Sequence, residues 1–77
     1  MILDADDRRF VANYLRRGAD YHTRHNSKLT LSGTTAAAMH ASLGMAPLDP
    51  RIAYSLSPWE ARDYADALDA IDARRTA

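Results

Sequence analysis

Three histidines are the residues of this chain best suited to chemistry. His22 and His25 stand three apart, which puts both on one side of a helix, and His40 lies further on. Neutral imidazole is a common metal ligand, and Asp7, Asp20 or His40 are candidates for a third position. A zinc site needs three or four ligands at set spacings, however, and an HxxH pair alone specifies little. Both histidines also fall on the apolar stripe of their segment, where packing or boundary hydrogen bonds account for them. The expectation is no metal and no cofactor.

Covalent catalysis finds still less support. There is no cysteine, hence no thiolate nucleophile and no disulfide framework. Serines 27, 32, 42, 55 and 57 sit in no nucleophile elbow or phosphate loop. Aspartates scattered along a helix do not make an acid–base pair. A chain of this size has little room for an enclosed substrate pocket, so a non-enzyme is expected.

Charge offers more. Between residues 8 and 25 stand Arg8, Arg9, Arg16, Arg17 and Arg24 against the single acid Asp20. Between residues 57 and 73 stand Glu60, Asp63, Asp66, Asp69 and Asp72 against the single base Arg62. Arginine's planar fork suits phosphate and carboxylate alike. The basic segment is therefore either a contact surface for phosphates or an acidic partner (Arg9, Arg16, Arg17 and Arg24 being the candidates) or the complement of the acidic segment, within one chain or between two.

Trp59 is the only tryptophan. On a helix whose apolar stripe centres near Leu68, it falls on the opposite side with Asp63, Asp66 and Ala70. Tryptophan is the residue type most enriched among interface anchors, and Trp59, Arg62, Asp63 and Asp66 form the candidate protein-binding group. The competing expectation, and the preferred one, is that the ring leans toward the helix N-terminus and covers the link of residues 47–56.

These residues must be held by a small number of elements. "SPWE" contains the chain's strongest signal: Ser57 as N-cap, Pro58 at the first helical position and Glu60 completing a capping box. Ala61, Tyr64, Ala65, Leu68 and Ile71 follow at helical spacing. In the first segment Asp4 or Asp6 can cap a helix, and Phe10, Val11, Tyr14, Leu15, Tyr21 and His22 make a broad apolar stripe. Gly18 lies within it, as a stop signal or as a place where another element approaches closely. A short middle helix, capped by Ser32 or Thr34 and ended by Gly44, carries Ala36, Met39, His40 and Leu43 inward. It resembles the first half of a helix–turn–helix only superficially, since Pro47 and Pro50 fall where a recognition helix would have to run.

Fold class is thus all-α: a single three-helix domain over residues 1–77, with helices near 5–24, 34–43 and 58–74 and an irregular proline-containing link before the last. An α+β version with very short strands near 28–31 and 51–56 is the alternative. The expected core is Phe10, Tyr14, Leu15, Met39, Leu43, Ala65, Leu68 and Ile71. Leu, Ile, Val and Phe supply only 13 of 77 residues, while the formal net charge is zero, which describes a folded but thinly cored chain. Such a core is often completed by self-association, so a homodimer is among the expected states. No apolar run reaches membrane-spanning length and the acidic "MILDADD" does not suit a signal peptide. A cytoplasmic protein is expected.

The function expected from all this is non-catalytic protein binding, as a modulator or inhibitor docking on a larger partner. Short single-domain chains without catalytic residues often serve mobile elements in this way, including against host defence systems. A dimeric nucleic-acid-binding regulator using the arginine-rich first helix is the second expectation, and a homo-oligomeric structural subunit the third.

Overall fold

The computed structural model describes residues 2–76. Its elements run α1 (Ala5–His25), β1 (Leu29–Leu31), α2 (Gly33–Ser42), β2 (Tyr54–Leu56) and α3 (Pro58–Thr76). The three expected helices are present within a residue or two, and the two short strands of the alternative reading are present as well. The strands pair antiparallel, with Leu29 opposite Leu56 and Leu31 opposite Tyr54. A two-stranded pair is marginal alone. Here Leu29, Leu31 and Leu56 are buried, so the strands are held by packing against the helices.

Local chemistry sets the helix ends. The Asp4 side chain accepts the Asp7 N–H at 2.8 Å, satisfying one of the free donors of the first turn. At the other end Asn26 takes a left-handed conformation with φ 50° and donates its N–H to the His22 carbonyl. Ser32, not Thr34, caps α2, accepting the Thr35 N–H at 3.3 Å. For α3 the capping box closes in both directions. Glu60 accepts from the Ser57 hydroxyl at 2.7 Å and the Ser57 N–H at 3.1 Å, and donates its own N–H back at 3.4 Å.

Gly18 does not end α1. The helix passes through it, and a Cβ there would lie 2.7 Å from the Leu29 side chain, so the glycine lets β1 approach. Gly33 is tighter. A Cβ on it would collide with the Pro50 carbonyl oxygen and lie 2.6 Å from that of Ile52, so the proline link is seated directly on the start of α2.

α1 and α3 pack side by side and antiparallel. Ala12, Leu15 and Ala19 from α1 meet Ala61, Ala65 and Leu68 from α3, all with almost no exposed surface. Ala36 and Met39 close the core from α2. Small residues dominate the facing surfaces because they let two helices come close. That choice overturns part of the expected core. Leu15, Met39, Ala65 and Leu68 are buried and Leu43 and Ile71 partly so, but Phe10 is 72% exposed and Tyr14 45%. Tyr21 is exposed as well. The inward face of α1 is Arg8, Val11, Ala12, Leu15 and Ala19. It is rotated away from the aromatic stripe because rings of that size do not fit an alanine-lined seam.

Candidate protein-binding face

Two of the α1 arginines, Arg8 and Arg16, find their partners among the acids of α3. Arg8, itself buried, donates to both carboxylate oxygens of Asp72, with the shorter bond 2.5 Å, and gives a third hydrogen bond to the Leu3 carbonyl at 2.9 Å. One turn-pair further, Arg16 reaches Asp66 at 2.9 Å and Asp69 at 2.6 Å. Arg62 on α3 reverses the polarity and donates to Asp20 at 3.1 Å. The bonds to Asp72 hold the Arg8 guanidinium above its usual pKa, and those to Asp66 and Asp69 do the same for Arg16. These contacts fix the antiparallel register of the two helices. The exposed pairs contribute about 0–1 kcal/mol each and orient more than they stabilise.

This pairing sorts the candidate residues. Arg16 is occupied within the chain. Arg9, Arg17 and Arg24 are exposed and make no ion pair among the described residues. In the Trp59 group, Asp66 is taken by Arg16 and Arg62 by Asp20, whereas Asp63 makes no ion pair among the described residues. Trp59 itself is 68% exposed. The link of residues 47–56 therefore does not cover the ring, contrary to the preferred expectation. The reason is where that link goes: it folds back over the start of α2 through Pro50 and Ile52, away from the outer face of α3.

Beside that face runs an open groove of about 620 Å³ between α3 and the end of α2. Leu43, Met45, Ala67 and Ile71 give it an apolar floor, and Glu60, Asp63 and Arg74 are the charged residues that line it. Met45 is a large exposed apolar side chain like Trp59. An apolar floor bordered by charges of both signs, next to a protruding indole, makes a surface suited to a partly apolar protein segment.

The histidines are engaged elsewhere. His40 is buried, with Nδ1 3.0 Å from the Ala46 carbonyl oxygen and Nε2 2.9 Å from the Tyr64 hydroxyl. A carbonyl only accepts, so Nδ1 carries the proton and Nε2 accepts from Tyr64. Burial first, and then the neighbouring Tyr54, push the Tyr64 hydroxyl pKa well above the usual tyrosine value. This cluster ties α2, the link and α3 together and points its polar atoms at one another. His22 pairs with the Ser27 hydroxyl at 2.6 Å, and the His25 ring lies 4.2 Å from that of Tyr21. Among the described residues no group of three or more His, Asp or Glu side chains is placed to hold a metal ion. Among them, too, no helix is long and apolar enough to cross a membrane.

Sequence reasoning placed Trp59 and Asp63 on the outside of α3 and missed Met45, which lies in the proline link where no periodicity applies. No known protein family, curated protein or solved structure matches this chain.

Proposed function

We propose that the chain is a non-catalytic protein-binding module that docks on a larger protein through the outer face of α3. One observation carries the reading: Trp59 is 68% exposed on a well-capped helix, beside Asp63, which makes no ion pair among the described residues, and beside an apolar groove. Leaving an indole in water forgoes burial worth about 1.5–3 kcal/mol for a large apolar side chain. A rigid helix also presents that ring at little entropic cost. A role as a modulator or inhibitor, encoded by a mobile element and aimed at a host defence system, extends this reading on the general habits of short single-domain chains.

The test compares wild type with Trp59→Ala as bait in native cell extract. The expected result is a partner retained by wild type and lost by the variant, while circular dichroism shows the variant still folded. Equal retention by both overturns the reading. A nucleic-acid regulator remains the second reading because Arg9, Arg17 and Arg24 make no ion pair within the described chain. It predicts binding that falls steeply with added salt and is indifferent to Trp59.

A further inference from the structure

The outward face of α1 carries a pattern that the packing of the fold leaves largely exposed. Asp7, Phe10, Tyr14, Arg17, Tyr21 and Arg24 succeed one another at spacings of three, four, three, four and three. This is the repeat along which two helices pack as a seam. All six residues are exposed. Asp7, Arg17 and Arg24 form no ion pair among the described residues, whereas Arg8, Arg16 and Asp20 are taken by α3.

We propose that α1 pairs antiparallel with α1 of a second copy, about a two-fold axis passing between Tyr14 and Arg17. In that register every layer of the seam is complementary. Asp7 faces Arg24 as an ion pair, Phe10 faces Tyr21 as an aromatic pair, and Tyr14 faces Arg17 as a cation over a ring. The two-fold axis then repeats each layer once, so all six side chains are used on both copies. A parallel pairing would instead set Arg17 on Arg17, Arg24 on Arg24 and Asp7 on Asp7.

Other features of α1 favour the same arrangement. Its first turn is acidic, with Asp6 and Asp7, and its last turn is basic, with His22, Arg24 and His25. Antiparallel pairing brings each acidic end beside a basic one and opposes the two helix dipoles. The rings are already placed: the Tyr14 hydroxyl donates to the Thr30 carbonyl at 3.3 Å, and Tyr21 packs on His25. A shallow groove of about 280 Å³, bounded by Phe10, Tyr14, Leu31 and Thr35, leaves room for an incoming ring. An acidic helix from another protein would suit Arg17 and Arg24 but meet repulsion at Asp7, and a nucleic-acid strand would meet it at Asp6 and Asp7. A second copy satisfies both ends.

The seam from Asp7 to Arg24 is about 26 Å long, at the small end of specific interfaces, so the dimer is reversible and concentration-dependent. It stands on a different helix from the Trp59 face, and Trp59→Ala is expected to leave it unchanged, so the two proposals fail separately.

Sedimentation of the intact chain across a concentration series tests it. Wild type is expected to shift from monomer to dimer as concentration rises. Arg24→Asp alone and Asp7→Arg alone each put like charges in two layers and weaken the dimer at least about tenfold. The double variant exchanges the charges within each layer and restores it. Circular dichroism of each variant separates loss of pairing from loss of fold. The chain has no cysteine, so a mixture of Phe10→Cys and Tyr21→Cys chains is expected to form a disulfide between unlike chains on oxidation, and neither variant to do so alone. A wild type that stays monomeric up to about 1 mM, whether or not it binds an oligonucleotide or an acidic helix, overturns the proposal. So does a double variant no stronger than the singles, or a Phe10→Cys chain that crosslinks to itself.

Discussion

α1 and α3 are alike on the inside and opposite on the outside. Each presents small apolar residues and one or more ion-pairing residues to the other: Ala12, Leu15, Ala19 and Arg16 from one, Ala61, Ala65, Leu68 and Asp66 from the other. Their outer faces share no such logic. α1 shows water a regular series of rings and charges, and α3 shows it a single indole beside Asp63. The contrast separates two demands on one short sequence. Inner positions answer to the fold and must be small or paired. Outer positions are released from that requirement, and there the chain places four of its six aromatic residues, Phe10, Tyr14, Tyr21 and Trp59.

If that division holds, inner substitutions cost stability and outer ones do not. The largest effect is expected for Leu15→Ala, which removes a fully buried side chain from the α1–α3 seam. It should cost about 2–5 kcal/mol in a denaturant titration. Next comes Gly33→Ala, where the added methyl meets backbone carbonyls that cannot turn aside. Overpacking of this kind costs about 1–3 kcal/mol, and a thermal melt should show it. Ser57→Ala removes the N-cap of α3 and should cost about 1 kcal/mol. Trp59→Ala sits at the bottom of the series, within about 0.5 kcal/mol of wild type. A loss near that of Leu15→Ala would erase the distinction between the two faces.

Titration sharpens the same contrast. Hydrogen bonds from the Ser57 hydroxyl and then its N–H hold Glu60 below its ordinary value of 4.5. A depressed folded pKa means that the capping contribution is present above that value and fades as pH falls through the folded one. Tyr64 behaves in the opposite sense. Its pKa is raised by burial and by Tyr54 from an ordinary 10.0, so its contribution is present below pH 10 and is lost as pH rises through the folded value. Unfolding midpoints followed across acid and alkaline pH should decline at both ends, and Glu60→Gln should flatten the acid limb only.

What could be read in the sequence follows the range of the interaction responsible. The start of α3 was legible because Ser57, Pro58 and Glu60 act within one turn. The outward position of Trp59 followed from that start, and its exposure from where the link runs. The phase of α1 was misread because Phe10, Tyr14 and Tyr21 dominate any count of apolarity, while the seam is built from Ala12 and Ala19. Nothing local says that the partner helix comes too close for rings. The acid–base complementarity of the two helices was visible as a possibility; its register was not, since Arg8 finds Asp72 only after the whole fold is in place. Both strands were visible as alternations, and their pairing was decided by burial of Leu29, Leu31 and Leu56.

The register of α1 on α3 also governs the order of events during synthesis. Its ion pairs join residues 64, 50 and 42 positions apart, and the seam they flank has no shorter-range substitute. Contacts of such separation impose a loop-closure cost before they return any stability. A nascent chain therefore carries α1 without its partner helix, and Arg8 without Asp72, until residue 72 has been made. The final helix is the one that commits the molecule to its fold.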